Sequence, residues 1–299
     1  MLWTGQWAKN GFDGISLVVK MSNVLVIAKK EFSDLLGNWM MLVVFTSFLA
    51  LILADVYSFM SNMNNPHTSI VLQLFRGNFG IATANLIYWD LAQYGAILGV
   101  MIGCLSISNE RHNRALNTLV VKPVYRDTII NGKLLGSISF LVFIMGFVLV
   151  FYSSIMLIFC GNALAPFIGE YISMIGVVFV FSVVFVLFFF SLAMLISLLV
   201  RDQAFALILS LIFMFIFGLM QDSVFVIQLS GILPGSFVAS LVSLSPNNMF
   251  LSLFTEVFGG SISSGNAFAL AVPFIVKLLV GSLIACTVSY IVFLRRDIT

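Results

Sequence analysis

SNERHNRALNTLVVKPVYRDTIINGKLLG, residues 108–136, is the most charged island in an oily chain. It holds Arg111, Arg114, Lys122, Arg126 and Lys133, five of the 14 Lys and Arg residues. Long apolar runs flank it on both sides. In a chain with only 9% charged residues such a cluster must sit in water, and its sign reports the side. Pro123 divides it: a helix that begins near Glu110 ends there, and a second helix starts and runs into Gly132 and Lys133.

Working outward, the composition is 61% hydrophobic with a mean hydropathy of +1.13, well above a soluble domain. Several apolar runs reach the roughly 20 residues that cross about 30 Å of hydrocarbon. The fold class is therefore an all-α integral membrane protein. A net charge of +2 is too small to draw nucleic acid. The three cysteines, Cys104, Cys160 and Cys286, lie far apart inside apolar runs and read as core or lipid-facing residues.

Six spans are predicted, at about 39–59, 87–108, 135–160, 170–200, 203–220 and 270–294. The fourth is longer than a perpendicular crossing needs, so it must tilt, kink or project. Residues 22–38 read as an amphipathic helix at the interface, capped by Ser22 or Asn23. Its apolar side is Val24, Leu25, Ala28, Phe32, Leu35 and Leu36, with Lys29, Lys30, Ser33 and Asp34 opposite. Residues 1–20 read as a disordered N-terminal extension ahead of one domain over 21–299, with Met21 as an alternative start. Between Gln221 and Asn266, apolar runs at 224–233, 237–244 and 249–258 are too short to span. They read as re-entrant or interfacial helices before the last span.

Orientation follows from the basic residues. Lys9, Lys20, Lys29, Lys30, the five of the opening stretch, Arg201, Arg295 and Arg296 fall on one side; Arg76 and Lys277 fall on the other. The basic side is expected to be cytoplasmic, and an even number of spans places both termini there.

Sites for chemistry are scarce. A P-loop needs GxxxxGK[ST], yet Gly132-Lys133 is followed by Leu134, with Asp127 where the first Gly should be. His67 and His112 lie in loops on opposite sides, so no metal site is expected. No Ser stands in GxSxG; Ser47, Ser139, Ser182, Ser191 and Ser197 read as helix-packing residues. Asp55, Asp90, Glu170 and Lys277 are expected near outer span ends, leaving no charge deep in the membrane. The path through the spans then reads as apolar, and its energy must come from elsewhere.

The punctuation of the opening stretch resembles that of the type-2 family of ABC-transporter permeases. The matching residues are Glu110-Arg111, Asn117-Thr118-Leu119, Lys122-Pro123-Val124-Tyr125-Arg126 and Gly132-Lys133. The likeness extends to Lys30-Glu31 in the first helix, to Ser197 through Ala204, and to the Phe293-Leu294-Arg295-Arg296-Asp297 ending. It covers about residues 21–299, and departs from the family at Asn117, where Gly is frequent. The resemblance implies a permease without cofactor or catalytic residue, paired with a second permease subunit (homo- or heterodimer) and driven by a separate ATP-binding cassette ATPase subunit. Export across the plasma membrane is the expected direction. The segment between spans two and three would dock the ATPase through Glu110, Arg111, Arg114, Leu116, Thr118, Leu119, Pro123, Arg126, Asp127 and Lys133. The competing readings are a membrane scaffold or assembly factor without transport, and an intramembrane lipid enzyme, which the missing catalytic constellation disfavours.

Overall fold

Apolar length and glycine placement set the architecture. The computed structural model describes residues 23–63, 79–112, 126–200, 202–258 and 266–295, and among these all regular structure is helical. Helix α1 covers 23–36. It is followed by α2 (Trp39–Met63), α3 (Phe79–His112), α4 (Arg126–Leu164) and α5 (Ile168–Leu199). Then come α6 (Gln203–Leu219), α7 (Ser223–Ile232), α8 (Gly235–Leu244), α9 (Pro246–Leu253) and α10 (Ala267–Arg295). Side-chain caps start several of them. Asn38 Oδ1 accepts from the Met40 N–H at 2.9 Å, Asp202 Oδ1 from Phe205 at 3.0 Å, and Asp222 Oδ1 from Val224 at 2.9 Å.

Four stretches are long and apolar enough to cross a membrane, or up to six if each bent helix pair counts as one span. One of the four, Thr128–Leu199, runs 72 residues. Laid straight it would extend roughly 108 Å, far beyond one bilayer. It instead folds back at the 3-10 turn Ala165–Phe167, which holds Pro166. Gly146 of α4 lies against Phe179 of α5, so the two helices are antiparallel crossings. Helix α6, 17 residues long, brings the crossings to six before it turns through 97° into α7.

Helix α5 is the axis. It packs most extensively on α3 and then on α10. Gly95, Gly99 and Gly103 of α3 form a four-residue repeat facing it. A Cβ at Gly99 would lie 2.8 Å from the Val186 carbonyl oxygen, and one at Gly103 2.5 Å from that of Phe190. Only hydrogen fits there, so the two backbones touch. Gly80 meets Phe167 and Tyr171 at the other end, so α3 and α5 run parallel. By similar pairings α4 runs against α3, joined at Lys133–Ser106, and α6 runs against α5, joined at Phe217–Phe188. Helix α10 follows α5, with Gly281 beside Phe188.

The predicted spans stand, with two boundaries moved. Helix α3 starts at Phe79, eight residues before the expected 87, and α4 starts at Arg126. Of α3's most apolar window 67% is buried, against 22% for α2 and 28% for α10, which turn most of their surface outward. The segment before the last span is three short helices. Helices α7 and α8 are largely exposed, whereas α9, opened by Pro246, returns to the bundle. There Phe250 stacks on Tyr88 at 4.3 Å and 2°, and the Tyr88 hydroxyl donates to the Phe250 carbonyl at 2.7 Å.

Filling the α3–α5 contact should be disruptive. Gly103→Leu is expected to lower stability by about 1–3 kcal/mol or to prevent folding. Gly176→Ala in α5, whose Cβ would meet nothing within 4 Å, should stay within about 1 kcal/mol of the parent. Thermal unfolding in one detergent checks the pair; equal midpoints would refute the close approach.

Candidate functional site

The basic end of the bundle is built from three elements. Gly132 and Gly136 of α4 are one helical turn apart and face α1. A Cβ on Gly132 would lie 2.7 Å from the Ile27 Cβ, and one on Gly136 2.6 Å from the Ala28 carbonyl oxygen. Helix α1 therefore crosses α4 at backbone contact, with Ala28 and Leu35 both only 4% exposed. Phe32 adds edge contacts to Phe140 at 5.3 Å and Phe143 at 5.7 Å. Lys29, Lys30, Ser33 and Asp34 are exposed, as the amphipathic pattern requires, while Leu25 and Leu36 of its apolar set also turn outward.

Lys133 locks this crossing. Its Nζ donates to Glu31 Oε2 at 2.8 Å and to the Ser106 carbonyl at 2.7 Å. Ser137 Oγ donates to Ser106 Oγ at 3.0 Å beside it. The pair is nearly dry, with side chains 8% and 11% exposed. An ammonium buried so deeply needs both a counter-charge and hydrogen bonds, and here α1 and α3 supply them. On its α2 side α1 leaves an apolar groove of about 400 Å³, lined by residues including Leu35, Met41, Phe45 and Phe140. The position of α1 thus rests on the glycine contact and the ion pair.

Of the docking residues expected from the sequence, Glu110 and Arg111 fall in the last turn of α3, and Arg126 and Asp127 in the first turn of α4. Arg114, Leu116, Thr118, Leu119 and Pro123 lie outside the described residues. Lys133 does not offer its charge to solvent: it is 7% exposed and engaged within the chain. Its burial was hidden because its counter-ion stands 102 residues earlier. The Gly132–Gly136 spacing was a readable signal, since small residues one turn apart mark close helix crossings.

The charges expected at outer span ends divide. Glu170 does lie there, in the first turn of α5. Asp90 does not. Because α3 begins at Phe79, Asp90 lies roughly 15 Å inside the Gly80 end of the span by helical rise. Lys277 is likewise about ten residues, or roughly 15 Å, into α10, exposed and with Nζ 5.8 Å from the Phe274 ring centroid. The expectation of spans free of deep charge is therefore corrected. Of the serines read as packing residues, Ser197 bonds between helices, whereas Ser47 and Ser191 bond back within their own helix. Ser197 Oγ donates to the Cys104 carbonyl at 3.2 Å, and Ser191 Oγ to that of Phe188 at 2.8 Å.

The fold is that of an α-helical multi-pass membrane protein. The family profile described as ABC-2 family transporter protein matches residues 25–298, so the chain belongs to that family. No curated protein matches it.

Breaking the buried pair on one side should cost more than removing both charges. Lys133→Met alone strands Glu31 and is expected to lose about 3–5 kcal/mol. Joined with Glu31→Leu, the loss should shrink, a coupling that a double-mutant cycle of unfolding free energies reads directly. Additive losses would show that the two side chains do not interact.

Proposed function

We propose that this chain is the membrane permease subunit of an ABC exporter in the plasma membrane, energised by ATP hydrolysed on a separate subunit. The observation that carries the reading is the Lys133 junction. One buried ammonium joins α1, α3 and α4 where the charged stretch 108–136 leaves and re-enters the bundle. A force on that stretch is passed to three helices at once.

In this reading residues 108–127 form the ATPase docking element. Glu110, Arg111, Arg114, Arg126 and Asp127 pair with charges on the ATPase, and Leu116 and Leu119 anchor in an apolar pocket. Thr118 and Pro123 belong to the same assigned element, in which Pro123 is expected to end a helix. Lys133 acts behind them as a positioning residue. The basic end then faces the cytoplasm together with both termini, following the bias of Lys and Arg. A second permease subunit completes the transporter. Helix α6 supports this: of its 17 residues only Ala206 and Ser210 are buried, which leaves an apolar face for lipid or for a second subunit. The export direction rests on the family alone.

The test is co-purification. The chain expressed with the ATPases of its host should bring down a P-loop ATPase and raise its turnover. Arg111→Glu combined with Arg126→Glu, or Pro123→Ala alone, should abolish that association while membrane insertion and thermal stability stay intact. Unchanged association in those variants would remove the docking assignment. Purification without any ATPase under gentle conditions would remove the permease reading itself.

A further inference from the structure

The groove where α1 meets α2 and α4 holds about 400 Å³, and every side chain that lines it is apolar. Leu35 and Leu36 of α1, Met41 and Leu42 of α2, and Phe140 and Phe147 of α4 form its walls. At about 30 Å³ for a group the size of a water molecule, that is room for roughly a dozen chain carbons. Leu36 and Leu42 are 58% and 46% exposed, so the groove is open to the outside of the bundle. The apolar window of α2 is only 22% buried, and Trp39 at its start is 75% exposed. A surface so apolar, with an aromatic ring at its edge, faces lipid rather than water.

The packing of α1 on α4 gives the groove a direction. Ile27 meets Gly132, Ala28 and Glu31 meet Gly136, and Phe32 meets Phe140 and Phe143. Successive turns of α1 thus lie farther from the charged Arg126 end of α4 and deeper along the span. Lys29 and Lys30 sit toward the water, and Leu36 lies seven residues beyond Lys29, roughly 10 Å on by helical rise. Lys29 also precedes Phe32 by three residues, which puts it on the same side of the helix. Both lysines are exposed. Glu31 is neutralised by Lys133, which leaves Asp34 as the one exposed carboxylate among the described residues of α1. An apolar trough open to hydrocarbon, lying below two ammonium groups, complements an amphiphile with an anionic head.

We infer that the α1–α2–α4 groove holds an anionic phospholipid from the leaflet at the basic end. Its acyl chain lies against Phe140 and Phe147, and its phosphate rests on Lys29 and Lys30. The site needs only the placement of the chain in a membrane, and stands whether or not an ATPase associates. The full chain is purified in detergent with equal amounts of phosphatidylglycerol and phosphatidylcholine of the same acyl chains, and read by native mass spectrometry. One retained phosphatidylglycerol per chain is expected, favoured over phosphatidylcholine by roughly fivefold or more, the scale of one lysine at a membrane surface. Lys29→Gln joined with Lys30→Gln should bring that preference close to parity at an unchanged unfolding midpoint. Leu42→Trp, which fills the groove from an exposed position, should lose the lipid. Ile158→Trp, at a site 76% exposed farther along α4, should keep it. Excess glycerol phosphate should not displace it, because the head alone lacks the chain contact. Equal retention of the two lipids in the parent, or a preference that survives loss of both lysines, would overturn the proposal. So would displacement by glycerol phosphate, or equal retention in Leu42→Trp and Ile158→Trp. A chain dimer that Leu42→Trp dissociates, with no lipid retained in the parent, would give the groove to a second copy and overturn it too.

Discussion

The backbone contact between α3 and α5 is the constraint from which the other placements follow. With hydrogen alone at Gly99 and Gly103, the two axes approach as closely as helices can, and no side chain has to be ordered to hold them. That closeness sets the rotation of α3. With its glycine stripe on α5, the opposite side carries Asp90 and Tyr94 toward α2 and α4, and the Ser106 carbonyl toward Lys133. In hydrocarbon there is little hydrophobic force between helices, so van der Waals contact and interhelical hydrogen bonds must do this work. The phenylalanine ladder of α5, Phe181, Phe185 and Phe189, then fills the space on toward Phe250 and Phe217.

Much of this was legible in the residues, and the failures have physical causes. Hydropathy found the crossings and the broken segment before the last one, because lipid-facing length and Pro-Gly breaks are local signals. It placed the start of α3 too late. Thr83 and Asn85 lower the apolar score there, yet they are 0% and 8% exposed, buried against protein rather than lipid. A polar residue facing a neighbouring helix is invisible to a scale that assumes lipid. The same error put Asp90 near the surface. For Lys133 the failure was one of partnership: a lysine in a charged stretch reads as solvated until Glu31 is brought beside it.

Lys133 also shows why the charge at the basic end is not uniform in purpose. Exposed Lys29 and Lys30 can serve topology and headgroup contact, where an individual pair contributes little. A pair 8% and 11% exposed behaves differently: it contributes modestly while both partners are present, and costs heavily if one withdraws. Such a contact resists sliding of α1 over α4 and makes the junction move as a unit. The glycines beneath it add steric definition, since any shift along α4 brings Ile27 or Glu31 against a neighbouring side chain.

Helix α4 joins two polar contacts of the bundle. It holds Lys133 near one end and Tyr152 deep in the span, within a single helix from Arg126 to Leu164. Those residues are 19 apart, or roughly 28 Å by helical rise. A tilt of about 5° pivoting at Lys133 would displace Tyr152 by roughly 2.5 Å. That is the scale on which a hydroxyl gains or loses contact with a carboxylate, because hydrogen bonds fail within about 1 Å of stretch. Tyr152 meets Asp90 of α3 through one side-chain hydrogen bond, whereas Lys133 is held by two at the other end. Motion of this helix is therefore resisted at the junction and expressed at the contact of Tyr152 with Asp90.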